Sequence, residues 1–177
     1  VSRLHDIEDS TSVTGTDFDY IIIGGGSAGC VLASRLSENP ALRVALLEAG
    51  PADRSALLHC PAGLAVLAQT GQYNWAFETV PQSGLNGRRG YQPRGKVLGG
   101  SSSINAMVYI RGQRSDYDHW AALGNPGWSY ADVLPYFKRA EHNERGADAY
   151  HGSGGPLNVM DLRNPNRFGP VFVEAAR

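Results

Sequence analysis

The sequence predicts an α/β fold whose first unit runs strand, glycine turn, helix, strand. Three observations carry that expectation. Tyr20-Ile21-Ile22-Ile23 is a run of aromatic and β-branched residues, as in a parallel strand covered on both faces. Gly24, Gly26 and Gly29 follow at once in the spacing G-x-G-x-x-G. Val44-Ala45-Leu46-Leu47 is a second apolar run, expected to be buried, and Glu48 closes it.

Taken in order, strand one is expected over 17–23 and helix one over 27–37, stopped by Asn39-Pro40. Strand two follows over 43–48. In such a unit the first glycine permits the tight turn. The second lets the main chain approach a pyrophosphate, and the third lets helix pack on strand. The first N–H groups of the helix, from Ser27 and Ala28, and its positive dipole end face the phosphates. Glu48 stands roughly twenty residues on, where a carboxylate accepts from adenosine ribose hydroxyls and repels a 2′-phosphate. The pattern therefore predicts a Rossmann-type site for FAD or NAD rather than NADP.

Composition narrows the class. A chain of 177 residues with formal net charge -1 suits one soluble domain and gives no electrostatic reason for a nucleic-acid partner. No apolar run is long enough for a transmembrane segment. Residues 1–16 are polar, lack a signal-peptide core and read as a mobile tail. Cys30 and Cys60 are spaced neither as a redox pair nor as a zinc half-site. No metal is expected, Cys30 reads as a small buried residue of helix one, and the compartment reads as cytoplasmic.

After Gly50-Pro51 the alternation lapses. Residues 57–69 are apolar but broken by Pro61 and Gly63, which allows a short helix or a packed lid loop. Trp75 reads as core or as part of a lid over a cofactor, and a polar turn follows at 84–89. His59 reads as structural. Further on, a helix is expected over 115–123 with Ser115 as N-cap and Gly124 as its end. A capping box at Ser129–Asp132 opens another, with Pro135 early enough to be tolerated and Val133, Leu134, Phe137 and Ala140 facing inward. Trp120, Trp128 and Tyr136 read as core aromatics. An exposed loop is expected over 141–150, a turn over 151–155, a short strand over 156–160 and a helix from Pro170.

A second glycine-rich stretch, Gly95-Lys96-Val97-Leu98-Gly99-Gly100-Ser101-Ser102-Ser103-Ile104-Asn105, lies between apolar flanks. Val97, Leu98, Ile104, Met107, Val108 and Ile110 are expected to be buried, so the polar loop between them must satisfy its groups on something. A bound phosphate would serve. This stretch, with Tyr109, Gly112 and Asp118, resembles the first signature of the glucose–methanol–choline (GMC) flavin oxidoreductases. Asp116-Tyr117-Asp118-His119-Trp120, Gly127-Trp128-Ser129-Tyr130, Leu134-Pro135-Tyr136-Phe137, His151-Gly152 and Gly155-Pro156-Leu157 resemble further landmarks in family order. The likeness covers 17–177 and is nearest to bacterial alcohol and choline dehydrogenase-like members.

The resemblance implies FAD. Gly24, Gly26, Ser27, Ala28 and Gly29 would line its pyrophosphate, and Glu48 with Ala49 would hold the ribose. Val97, Gly99, Gly100 and Ser102 would pass along the cofactor, and Trp75 would cover it. Asn105, Ala106, Met107 and Val108 would run beside the isoalloxazine ring. Some family members attach FAD through a histidine at the position of Ile104, which has no nucleophile, so non-covalent binding is implied. The implied activity is oxidation of the CH–OH group of a primary alcohol by hydride transfer to flavin N5, with quinone or oxygen as the electron acceptor. A lyase, a fatty-acid photodecarboxylase and an inactive FAD-binding fragment are the alternatives. The family's catalytic histidine and substrate domain are expected beyond Arg177, in another chain or absent, and none of His59, His119, His142 and His151 sits where that histidine belongs. Association with the inner membrane as a peripheral enzyme is a further option.

Overall fold

A computed structural model describes residues 17–177, so the tail expected over 1–16 lies outside the described residues. The chain divides into two units, Val1–Val108 and Tyr109–Arg177.

In the first unit, β1 (Tyr20–Ile23) and β2 (Val44–Leu47) pair in parallel, Tyr20 opposite Val44 through Ile23 opposite Leu47. The helix α1 (Ser27–Leu36) forms the crossover. These elements match the expected strand–helix–strand unit. Their burial does not. Tyr20, Ile21 and Leu47 are exposed, and Ile23 is 86% exposed. Among the described residues this two-stranded sheet is packed by α1, and its continuous apolar runs are not enclosed on both faces. Cys30 is half-buried rather than buried, and its thiol lies 3.1 Å from the Gly25 carbonyl.

The broken apolar segment resolves into two helices, α2 (Ala56–His59) and α3 (Gly63–Thr70). Ser55 caps α2 through the Leu57 N–H, and Gly71 ends α3 in the left-handed conformation at φ 66°. Gly63 lies so close to α2 that a Cβ there would sit 2.0 Å from the Leu57 carbonyl oxygen. The antiparallel pair β3 (Phe77–Glu78) and β4 (Tyr91–Gln92) flanks the polar turn as a hairpin. Trp75 is not core. It is 42% exposed, stacks on Phe77 at 5.7 Å and lies under the Lys96 ammonium at 4.5 Å. Among the described residues of this unit, the buried apolar side chains are Leu67 and the fully enclosed Val97. Met107 and Val108, expected inside, are exposed. The main chain there turns outward, with Met107 at φ 56° and its N–H bonded to Asn105 Oδ1 at 2.8 Å.

The second unit is built around Tyr117. Its ring meets those of Trp120 at 5.3 Å, Phe137 at 5.7 Å and Tyr130 at 6.0 Å. Helix α4 (Arg114–Ala122) starts one residue earlier than expected. Its cap is Gln113, whose N–H donates to Asp116 Oδ2 at 2.8 Å, rather than Ser115. Helix α5 (Tyr130–Ala140) has the expected Ser129–Asp132 box, with N–H to side-chain bonds of 3.2 and 3.3 Å. Pro135 falls in the second turn rather than the first and forfeits one helical bond, yet the helix continues through it. Val133, Leu134 and Phe137 are half-buried, but Ala140 is exposed. Trp120, Trp128 and Tyr136 are also exposed, as is Ile110. Trp120 and Trp128 pack edge-to-face on each other at 6.0 Å. Helix α6 (Phe168–Ala175) begins two residues before Pro170 and leaves Phe168 and Phe172 exposed.

The loop expected over 141–150 opens instead with the most enclosed acid among the described residues. Glu141 is 0% exposed and starts β5 (Glu141–Asn143), which pairs in parallel with β6 (Leu157–Val159). Its Oε2 accepts from Arg111 Nη2 at 2.6 Å and from the Gly152 N–H at 2.9 Å. Its Oε1 accepts from Asn143 Nδ2 at 3.0 Å and faces His151 Nδ1 at 2.9 Å. Burial alone would raise its pKa. The bonds from Asn143, Gly152 and His151 and the Arg111 charge outweigh that and hold it at about 2. Asp148 Oδ1 secures the next turn by accepting from the Tyr150 and His151 N–H groups at 2.7 and 2.6 Å.

Because the folded-state pKa of Glu141 lies below its ordinary value of 4.5, its stabilisation is complete above that value and is lost as pH falls toward about 2. Acid titration of tryptophan fluorescence should show this loss, and Glu141→Gln should flatten the curve. Glu141→Ala, which leaves Arg111 without its buried partner, should cost about 3–5 kcal/mol. An acid transition unchanged in Glu141→Gln would contradict the assignment.

Candidate functional site

Two glycine-rich segments meet in the first unit, and main-chain atoms make the junction. The Gly25 N–H donates to Glu48 Oε2 at 2.7 Å, and the Gly25 carbonyl accepts from the Gly99 N–H at 2.6 Å. Glu48 Oε1 accepts from the Gly50 N–H at 2.9 Å, and the Leu98 N–H donates to the Pro51 carbonyl at 3.0 Å. Ser27 Oγ donates to Ser102 Oγ at 3.0 Å. The serines of the second stretch also tie it to itself: Ser103 Oγ donates to the Leu98 carbonyl at 2.9 Å, and Ser101 Oγ accepts from the Gly95 N–H at 3.0 Å.

The glycines divide by what a side chain would meet. A Cβ on Gly29 would lie 1.9 Å from the Gly24 carbonyl oxygen, and one on Gly100 would lie 2.8 Å from Gly26 Cα. These positions are glycine because main chains touch. Gly24 and Gly26 are different, since an added Cβ there meets nothing within 4 Å. Gly24 needs glycine for its φ of +100°. Gly26 has ordinary φ, and the space beside it is open. It is also the N-cap of α1, and no side chain caps that end. An open main-chain concavity at an uncapped helix N-terminus fits an anion such as a pyrophosphate. The donor set of the junction thus suits a dinucleotide, with Glu48 already oriented by two N–H groups.

The structure brings together Gly24, Gly26, Ser27, Ala28, Gly29, Glu48, Gly99, Gly100 and Ser102 at this junction. Ala49 lies exposed between Glu48 and Gly50. The Val97 side chain is fully enclosed, so only its main chain can face a ligand. Asn105 and Met107 leave the junction along a cavity of about 240 Å³ whose far wall is α2 and the start of α3. Ala106 and Val108 are exposed outside that lining. Trp75 stands apart on the hairpin, held by its N–H to the Arg94 carbonyl at 2.8 Å.

The sequence reading missed Gly50, Gly95 and the cavity wall. A Cβ on Gly50 would lie 2.1 Å from Lys96 C, and one on Gly95 would lie 2.2 Å from Gly100 C. The Gly50-Pro51 pair after strand two was the available signal. The cavity wall also contains His59 and Cys60. His59 Nε2 bonds the Asp53 carbonyl, which fits a structural role. Among the described residues no cluster of three or more His, Cys, Asp or Glu could hold a metal ion, and no helix is long and apolar enough to cross a membrane.

Comparison with known proteins follows the same lines. Residues 18–177 match the family model described as GMC oxidoreductase. An alcohol dehydrogenase [acceptor] of Pseudomonas putida is 53% identical over 159 residues, which is 89% of this chain and 29% of that protein. Human mitochondrial choline dehydrogenase is 48% identical over 168 residues, 91% of this chain and 28% of that protein. Among solved structures, pyridoxine 4-oxidase from Mesorbium loti superposes with a TM-score of 0.83 at 39% identity, covering 90% of this chain and 31% of that one. An FAD-dependent oxidoreductase from Chaetomium thermophilum gives 0.77 at 35% identity, covering 90% and 29%. The chain thus spans less than a third of the length of the relatives it matches.

Two substitutions separate contact from cradle. Gly29→Ala should cost about 1–3 kcal/mol of stability through its clash with Gly24, seen as a lower thermal midpoint. Gly26→Ala should leave stability within about 0.5 kcal/mol and weaken flavin dinucleotide binding at least tenfold, or about 1.4 kcal/mol, measured by fluorescence titration. Undiminished binding to Gly26→Ala would remove the cradle from consideration.

Proposed function

Because the chain belongs to the GMC oxidoreductase family, we propose that it is the FAD-holding part of an enzyme that oxidises the CH–OH group of a primary alcohol. The observation that carries this reading is the junction of the two glycine-rich segments, where main-chain donors, an uncapped helix end and an oriented carboxylate converge. The two relatives matched in sequence are named an alcohol dehydrogenase and a choline dehydrogenase, and that supports an alcohol donor.

Each group has a task in this reading. Gly24, Gly26 and Gly29, with the first N–H groups of α1, hold the pyrophosphate. Glu48 keeps one lone pair on each oxygen beyond those given to Gly25 and Gly50, and with these it accepts from the ribose hydroxyls. Ala49 lies alongside. Gly99, Gly100 and Ser102 carry the second side of the cradle, and Val97 anchors it from behind. Asn105, Ala106, Met107 and Val108 border the ring, and Trp75 shields the hairpin side. Bound FAD supplies the hydride acceptor at N5. Ile104 offers no nucleophile, so the cofactor is held non-covalently. No catalytic residue is assigned within the chain. Quinone or oxygen takes the electrons, and the free thiols Cys30 and Cys60 favour a reducing, cytoplasmic compartment.

The test uses the complete enzyme. It should purify yellow and release all its flavin on acid precipitation. It should reduce a dye acceptor with primary alcohols, while illumination with a fatty acid gives no decarboxylation. Flavin remaining on the precipitated protein would overturn the non-covalent reading. Decarboxylation without alcohol oxidation would overturn the activity.

A further inference from the structure

Met107 holds its main chain at φ 56°, in the left-handed region. A residue with a side chain stays there only where its neighbours over-determine it. On the N-terminal side the constraint is Asn105, whose Oδ1 accepts from the Met107 N–H at 2.8 Å. On the C-terminal side the chain runs through Val108 to Tyr109. The Tyr109 hydroxyl accepts from Arg111 Nε at 3.3 Å and from Arg111 Nη2 at 3.2 Å.

The guanidinium is itself fixed, and the Arg111 side chain is 12% exposed. Nη2 also donates to Glu141 Oε2 at 2.6 Å, and Nη1 donates to the Tyr150 carbonyl at 2.5 Å. Cζ lies 5.1 Å from the centre of the Phe137 ring. The next residue is held as well, since the Gly112 N–H donates to the Tyr117 hydroxyl at 3.1 Å. Glu141 takes one N–H of the guanidinium, and the rigid fork leaves others for Tyr109 and Tyr150. A lysine would meet Glu141 as a point charge and lack that fork.

We propose that Arg111 is a positioning residue: through the Tyr109 hydroxyl it holds the 105–108 main chain in the conformation that borders the flavin. The proposal rests on the role given to those four residues above.

The complete enzyme tests this with two variants. Tyr109→Phe removes the accepting oxygen and keeps the ring. Arg111→Lys keeps a cation beside Glu141 and removes the fork, whereas Arg111→Ala would leave that acid without its cation. Hydrogen–deuterium exchange over 105–110 should quicken about tenfold in Tyr109→Phe, as loss of a hydrogen bond to a charged group predicts, with 20–47 unchanged. The limiting rate of flavin reduction by a primary alcohol should fall about tenfold, while the half-saturating alcohol concentration and the flavin content stay the same. Arg111→Lys should do likewise, and the double variant should be no worse than Arg111→Lys alone. Unchanged exchange in Tyr109→Phe, additive effects in the double variant, or a loss of rate that follows lost flavin alone would overturn the proposal. Quickened exchange in an enzyme whose flavin no alcohol reduces would support the positioning role and refute the alcohol reading instead.

Discussion

The Gly25 peptide unit is held from both sides, and the rest of the first unit depends on that. Its N–H is fixed by Glu48, at the end of β2, and its carbonyl by the Gly99 N–H. One residue without a side chain therefore joins the glycine turn, the second strand and the second glycine stretch. A side chain there would crowd its neighbours, since a Cβ would lie 3.0 Å from Leu98 Cδ1 and 3.3 Å from Glu48 Oε2 and both would have to give by a few tenths of an ångström. The carboxylate is drawn to the turn by charge-assisted bonds. The turn in turn fixes where α1 begins, and the N-terminus of α1 is left without a side-chain cap. Electrostatics, turn geometry and close approach meet in one peptide unit.

The second unit solves a different problem with related chemistry. An acid at the junction of α5 and β5 is enclosed completely, which is tolerable only because Arg111, Asn143, His151 and the Gly152 N–H satisfy both its oxygens. Gly152 must be glycine to supply that N–H at such range, since a Cβ there would lie 1.8 Å from the Lys138 carbonyl oxygen. The cluster holds a turn against the end of a helix. Hydrogen bonds to both carboxylate oxygens from within the same unit give Glu141 a structural role.

Local rules made the strand, glycine turn and helix at the junction of the glycine-rich segments legible in the sequence. The spacing of Gly24, Gly26 and Gly29, the strand before them and the acid at Glu48 each follow from a turn or a ligand that a single segment must accommodate. The Ser129–Asp132 box was readable for the same reason, since both partners lie within one turn. What escaped depends on partners distant in sequence. Nothing near Glu141 announces that Arg111 lies within 2.6 Å, and a charged stretch reads as loop by default. Gly50 and Gly95 are ordinary punctuation until the segments they touch are known. Burial was the least legible property. Ile23, Val108, Ile110 and Trp128 have core composition and are exposed in this chain, because composition states a preference for enclosure and does not supply the enclosing surface.

The Ser27–Ser102 bond joins residues 75 apart in sequence, whereas Gly25 and Glu48 are only 23 apart. Closing the longer loop costs about 1 kcal/mol more in chain entropy by the logarithmic length dependence. The strand–helix–strand half is therefore expected to assemble first during folding, with the second glycine stretch docking onto it afterwards. A dinucleotide contacting both halves would speed refolding and leave unfolding unchanged if it bound before docking, and would slow unfolding with refolding unchanged if it bound after. The cofactor would then act as a folding partner whose kinetic signature reports the order in which the cradle closes.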